Sequence, residues 1–380
     1  MYQQGDVMEH GMPSGTDESE NVHGVLFQSP RTLPLMSDVA RLARVSKMTV
    51  SRVLNDHASV SPETRARVLE AIRRLQYRPN TAARTLATRR SLTIGVLASD
   101  TSLYGPATCI HAIEHSARDA GYFVSIATVR QDDQRSIQQA LETLVAQAVE
   151  ALVIVTPRAS LLVAIREHIA DIPVVVAGGS PSNAALLSIP TDQEAGGFEA
   201  TNYLLSLGHE TVWHVAGPDD LYASQARLRG WQSALSKVGA FQPPILQGDW
   251  SAASGFAAGN ELARQDDVTA VFVANDQMAL GLMLALKQSG RRIPEDISVI
   301  GFDDVPEAAY FDPPLTTMRL NFEDLGRRTL ELLLGCMHTG SGKSGKPVVP
   351  EFISRSSVRP LKRTFPACGA VHLPPSPSAC

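Results

Sequence analysis

Three runs of this chain each lead into a pair able to meet a ligand: "ILQG" into Asp249–Trp250, "VFVA" into Asn275–Asp276, and "VIGF" into Asp303–Asp304. A short way beyond a fourth run, "TVWHVAG", stands Arg227 in "QARLRGW". In open α/β sheets ligands bind outside the carboxyl ends of the strands, so these residues stand where a ligand would meet the protein. Asp303 and Asn275 can take hydrogens from hydroxyl groups, Arg227 offers a planar fork of donors, and the Trp250 indole can stack on the apolar face of a ring. That set suits a polyhydroxylated ligand. Any one of them would also serve as a helix cap, a common post for Asp and Asn; it is the four together that point to a site.

Other spacings could carry chemistry too. "HAIEH", His111 to His115, has the HxxEH spacing of a zinc peptidase, but on the first helix of the sheet region it reads as a surface pair. "GSGKSGK" contains Gly342-Lys343-Ser344, yet a phosphate loop needs a Gly where Met337 stands and a strand before it; it reads as a flexible loop. Asp303 and Asp304 are adjacent and so point different ways, which does not make an acid–base pair. No catalytic residue, metal or cofactor is expected.

The elements that must position the four residues are legible as alternation. The runs "LTIGVLA", "YFVSIATV", "ALVIVTP", "IPVVVAGG", "TVWHVAG", "PPILQGD", "AVFVAND" and "ISVIGFDD" read as strands buried on both faces, separated by helical stretches. Spread over 92–360, they predict two doubly wound parallel α/β lobes. Before them the periodicity is helical. "SDVARLARV" places Val39, Leu42 and Ala43 on one face behind a Ser37 cap, and "KMTVSRVLN" carries Val50, Val53 and Leu54. "SPETRARVLEAIRRL" opens with Ser61 as cap and Pro62 in the first turn, with Val68, Ile72 and Leu75 inward. Three short helices with a tight turn before the second make an all-α helix-turn-helix unit.

Charge separates the two regions. Residues 36–91 hold twelve Lys/Arg against four Asp/Glu, a formal +8, whereas residues 1–35 carry −4 and 92–380 carry −9. A basic block on an acidic body is the electrostatic footprint of a nucleic-acid-binding module, which the overall −5 conceals. The four cysteines, Cys109, Cys336, Cys368 and Cys380, show no CxxC spacing and fit a reducing cytoplasm. No apolar run nears the roughly 20 residues that cross a bilayer, and the acidic start has no signal-peptide pattern; a cytoplasmic protein is expected, with Met36 an alternative start. The expected domains are a disordered extension 1–35, the helix-turn-helix 36–80, a hinge helix and linker 81–91, a two-lobed effector-binding and dimerisation core 92–360, and a disordered Pro-rich tail 361–380. Asn80 could cap the hinge helix, which at about two turns is marginal alone in water.

Taken together, "MSDVARLARVSKMTVSRVLN", "VSPETRARVLEAIRRLQYRPNTAARTLA", "GDWSAASGF", "ANDQMALG", "ISVIGFDD" and "PPLTTMRLNFEDLG" resemble the lactose/galactose repressor family of bacterial transcriptional regulators, over roughly residues 36–358. The resemblance implies a helix-turn-helix headpiece, a hinge helix, and a core like the periplasmic sugar-binding proteins, acting as a homodimer on a pseudo-palindromic double-stranded operator. Carried over by position, it implies that Lys47, Met48 and Arg52 meet base edges, that Thr49, Ser51 and Asn55 meet phosphates, and that Leu86 wedges into the minor groove. It assigns Arg227, Trp250, Asn275, Asp303 and Phe322 to a sugar effector, four of which the strand ends had already nominated. Gly178 stands where the resemblance leads one to expect an Asp that meets a sugar hydroxyl, Leu320 replaces a polar residue, and Arg44 occupies a turn position where Gly is usual. No leucine heptad closes the chain, which argues against a tetramer.

The function implied is a repressor of carbohydrate-utilisation genes, released from its operator by a disaccharide or glycoside. Three rivals remain: a regulator whose ligand acts as corepressor, a sugar-binding transport receptor, and a metal-dependent hydrolase using His111 and His115.

Overall fold

The computed structural model describes residues 34–78, 85, 90–99, 101–129, 134–155, 172–179 and 186–361. Most of the 1–35 extension, most of the 79–89 hinge region with Asn80 and Leu86, and the tail beyond Leu361 lie outside the described residues. The chain divides between Arg84 and Thr85 into two compact units.

The first unit packs α1 (Met36–Ala43), α2 (Lys47–Leu54) and α3 (Pro62–Leu75) around Val39, Ala40, Ala43, Val50, Val53, Val68, Ala71 and Tyr77. Ser46 and Ser61 cap α2 and α3, their hydroxyls accepting from the N–H groups of Thr49 and Thr64. Ser37 does not cap α1. The Asp38 carboxylate accepts the Leu35 N–H at 2.9 Å, so the helix opens earlier, at Met36, with Leu35 as its cap. Leu42 is 43% exposed and Ala40 takes its place inside; the buried stripe centres on Ala43, and a neighbour in sequence sits about 100° round the helix. Arg44 ends α1 in the left-handed region at φ 54°, ψ 49°, a conformation open to arginine at modest cost.

In chain order the second unit begins with β1 (Thr93–Ala98), α4 (Tyr104–Asp119), β2 (Phe123–Thr128), α5 (Gln134–Ala146), β3 (Ala151–Val155), β4 (Val174–Ala177) and β5 (Leu187–Ile189). These strands form an all-parallel sheet in the order β2-β1-β3-β4-β5. The chain then continues through α6 (Gln193–Ser206), β6 (Trp213–Ala216), α7 (Tyr222–Val238), β7 (Leu246–Gln247), α8 (Ala252–Leu262), β8 (Ala270–Val273), α9 (Asp276–Gln288), β9 (Ser298–Asp303), β10 (Thr316–Arg319), α10 (Phe322–Thr339) and β11 (Glu351–Ile353). The second sheet runs β11-β10-β9-β8-β6-β7, parallel except for β11 on β10. Two doubly wound lobes result, with buried strands of the Val/Ile/Leu type that helices on both faces require; β2, expected buried, lies at the sheet edge with Phe123 63% and Ile126 50% exposed.

All eight expected strands are present, β7 shortened to two residues. The sequence did not disclose β5, β10 and β11, which have three or four residues each and contain Ser, Thr, Arg or Glu where apolar runs would signal a strand. The "GSGKSGK" segment is tied down rather than loose: the Gly345 N–H donates to the Ser188 carbonyl and Ser344 Oγ accepts the Ser188 N–H at 3.0 Å.

The chain passes between the lobes three times, from β5 into α6, from β10 into α10, and from α10 towards β11, because α10 packs on α4 and the first sheet. Two passages are stitched together where Asp192 donates to the Val348 carbonyl and Val348 to that of Pro190, each at 2.9 Å.

Within the second lobe the helices touch backbone to backbone. A Cβ on Gly197 (α6) or Gly230 (α7) would overlap the main chain of the other helix, at Arg227 and Glu194; Gly255 (α8) and Gly281 (α9) meet Met278 and Ala252 in the same way. Gly281→Ala should therefore destabilise by about 1–3 kcal/mol or more through overpacking. Gly335→Ala on α10, with open space around it, should gain up to about 1 kcal/mol from helix propensity. Urea titration of the two variants checks the contrast, and equal midpoints would contradict it.

Candidate functional site

On α2, Val50 and Val53 are buried, Lys47, Met48, Arg52 and Asn55 are exposed, and Thr49 and Ser51 are half-buried. Met48 is 65% exposed, a large apolar side chain held outside a small core. Thr49 Oγ1 lies 3.0 Å from the capping Ser46 hydroxyl, and Asn55 Nδ2 donates to Ser51 Oγ at 3.4 Å. The expected contact residues thus form the outer surface of one short helix, with only weak claims on one another.

In the second unit, a cleft between the lobes is lined by Arg227, Trp250, Asn275, Asp303 and Phe322 together, all five expected effector residues. Its walls enclose about 730 Å³, the solvent at its mouth included.

Arg227 is the centre of the polar wall. It is 4% exposed, and its guanidinium lies 3.6 Å from the centre of the Phe302 ring and 5.6 Å from that of Trp250. Nε donates to Gln193 Oε1 at 2.8 Å, Nη2 to Asp303 Oδ1 at 3.0 Å, and Nη1 to the Ala274 carbonyl. A guanidinium has five N–H groups, so about two are left for a ligand. Burial pulls the Arg227 pKa down and pushes that of Asp303 up, and each charge opposes the shift of the other.

The remaining polar groups are bound up in the same frame. Asn275 does cap α9, its Oδ1 accepting the Met278 N–H at 2.9 Å, while Nδ2 donates to the Trp250 carbonyl and to Gln277. That bond holds Trp250 at φ 74°, and Asp303 sits at φ 105°; strained backbone of this kind persists only where surroundings over-determine it. The indole of Trp250 lies directly on Gly217, where no Cβ could fit. Phe322 closes the other side, edge-on to Tyr104 at 6.0 Å, and occupies the space a Cβ on Gly105 would need, 2.6 Å from its ring. Gly178 has φ +76° and nothing nearer than 3.7 Å to a built Cβ, and Leu320 is buried elsewhere in the same lining.

Asp249 stays outside the cleft, accepting from the N–H and hydroxyl of Ser251. Asp304 turns away from Asp303 to pair with Arg319 and Arg355, at 2.7 and 2.6 Å. Asp276 is buried behind the site, accepting from the Thr317 hydroxyl at 2.6 Å and the Val305 N–H at 2.9 Å. Gln193, Gln277 and Tyr104 also line the cleft and were not foreseen; Gln193 follows β5, too short to announce a strand end. His111 and His115 are exposed on α4, with Asp119 3.9 Å from His115. Among the described residues no group of three or more His, Cys, Asp or Glu could hold a metal ion.

Comparison with known proteins matches residues 35–80 to a family described as bacterial regulatory proteins, lacI family, and residues 201–358 to a periplasmic binding protein-like domain. The lactose operon repressor of Escherichia coli (strain K12) is 36% identical over 318 residues, 82% of this chain and 87% of its own. The crystal structure of the Lac repressor dimer bound to operator and the anti-inducer ONPF aligns with a TM-score of 0.80 at 34% identity, covering 86% of this chain and 99% of that one. A complex of the transcriptional regulator CelR with cellobiose gives 0.65 at 31%, covering 85% and 99%.

Two expectations follow from the buried groups. Removing one partner of a buried ion pair costs about 3–5 kcal/mol, so Arg227→Leu and Asp303→Asn should each lower the urea midpoint, and the double variant should lose less than their sum. Strict additivity would show the pair to be uncoupled. Burial also lifts the Asp276 carboxyl from 3.8 to about 8. Between those values the folded chain keeps a proton that the unfolded chain releases, so stability falls as pH rises through the window. Asp276→Asn can still donate to Thr317 and accept from Val305, and should flatten the stability profile between pH 5 and 8; an unchanged slope would place the proton elsewhere.

Proposed function

Since the chain belongs to the lacI family of bacterial regulatory proteins, we propose that it is a cytoplasmic transcriptional repressor of carbohydrate-utilisation genes, released from its operator by a sugar. It is a regulator and not an enzyme. The observation that carries this reading is the pairing, in one chain, of an exposed helix-turn-helix surface with a cleft whose polar and aromatic groups fit a polyhydroxylated ligand.

In this reading two headpieces occupy adjacent major grooves of a pseudo-palindromic operator. Lys47, Met48 and Arg52 read base edges; Thr49, Ser51 and Asn55 fix the register on phosphates. The hinge and linker segment 81–91 pairs with that of the second copy on the operator, where Leu86 wedges open a central, flexible base step. The homodimer forms through the core, to which we assign the exposed Leu280 and Leu284, one turn apart on α9. In the cleft, the two free N–H groups of Arg227 and the second oxygen of Asp303 meet sugar hydroxyls, Trp250 and Phe322 cover the ring faces, and Asn275 holds Trp250 in place. Gly178 and Leu320 remove polar partners from one side, so a second ring or an aglycone fits there better than a lone monosaccharide. Sugar binding shifts the lobes, the hinge helices no longer form together, and the operator is released as one state is favoured over the other.

The test is operator binding by the purified protein, using DNA from upstream of its own gene neighbourhood, at low and high salt and with a panel of disaccharides. Affinity should fall steeply with salt, since the +8 block displaces counterions, and one or more sugars should weaken it further. Lys47→Ala should lose roughly 1–3 kcal/mol on the preferred operator and little on others, whereas Thr49→Ala should weaken all sequences alike. A sugar that strengthens binding would make the ligand a corepressor; equal losses across sequences for Lys47→Ala would end its role as a reader.

A further inference from the structure

Arg227 is gripped from three elements: Asp303 at the end of β9, the Ala274 carbonyl after β8, and Gln193 at the start of α6. The first is an opposite charge and the second is main chain. Only Gln193 is a neutral side chain, and it comes from the passage between the lobes. Its amide is engaged at both ends: Oε1 accepts Arg227 Nε–H at 2.8 Å, and Nε2 donates to Thr191 Oγ1 at 3.1 Å. It is 4% exposed, and both of these bonds hold its amide against the protein. One turn further along α6, Gly197 lets the backbone of Arg227 come close enough for this bond to form.

From this geometry, and resting on the sugar reading of the cleft, we propose that Gln193 is a positioning residue of the effector site. It fixes the plane of the Arg227 guanidinium and so aims the two remaining N–H groups at the sugar. A bond at Nε restrains rotation about the last side-chain torsions, which Asp303 and Ala274, both at the far end of the guanidinium, restrain less directly. Without it a buried N–H would lack an acceptor, and Arg227 would trade ligand-facing donors for protein partners.

Two near-isosteric variants separate positioning from packing. Gln193→Met fills the space and offers no comparable acceptor; Gln193→Glu keeps an oxygen for Nε and another for the Thr191 hydroxyl. Calorimetry of the full-length protein against a saccharide panel including cellobiose and lactose first selects the tightest binder for the wild type. Gln193→Met should then bind that sugar about tenfold or more weakly, the size of one lost hydrogen bond to a charged group, and Gln193→Glu should stay within about threefold of wild type, an energy below that of such a bond. If Gln193→Met binds as tightly as wild type, or if both variants lose affinity equally, Gln193 does not position Arg227. If no saccharide binds the wild type, the sugar reading of the cleft falls, and this role with it.

Discussion

A guanidinium taken almost wholly out of water must have its donors answered by protein or ligand, and in this molecule that requirement organises the second unit. Arg227 reaches the cleft from α7, and its partners come from α6, from the end of β8 and from the end of β9. No single helix or strand could supply all three, so the lobe must bring four elements to one point. It does so by removing side chains: Gly197 and Gly230 let α6 and α7 meet through their main chains. The stacked Phe302 ring beneath the guanidinium completes the enclosure on the side away from the cleft. The same economy recurs where Gly217 makes room for Trp250 and Gly105 for Phe322.

The frame explains why Asn275 could not be assigned from sequence to one role. A residue of its type after a strand is either a cap or a ligand contact on composition alone, but the structure makes capping part of the site. Its Oδ1 starts α9, and its Nδ2 then holds the backbone of Trp250 in a left-handed turn. Asp303 likewise was legible as a polar residue at a strand end, while its bond to Arg227 joins positions 76 apart in sequence.

What could be read in advance depended on how local the cause was. Ser46, Ser61 and Pro62 act within one helical turn, and their helices start where the sequence put them. The eight apolar runs declared themselves by composition, whatever length of strand each formed. Leu42 misled because its neighbours Ala40 and Ala43 are small, and small residues are what a three-helix core of this size can bring into close contact. Gln193 was invisible for a related reason: glutamine after a three-residue strand carries no periodic signal, and its importance lies wholly in a partner 34 positions away. The +8 block was plain from charge alone, and which of its side chains lie outermost followed once Val50 and Val53 were placed inside.

The three passages between the lobes also set a timetable for synthesis. The first lobe has all five strands once Ile189 has emerged, but α10, which covers α4 and the sheet, begins only at Phe322. At roughly 5–20 residues per second that interval lasts on the order of ten seconds. Throughout it the nascent first lobe lacks the helix that packs on α4 and its sheet, and the second lobe still waits for β11 on its edge. Both lobes therefore reach completion almost together, once α10 and β11 have emerged, and apolar surface exposed until then is the kind that invites aggregation of a half-made chain.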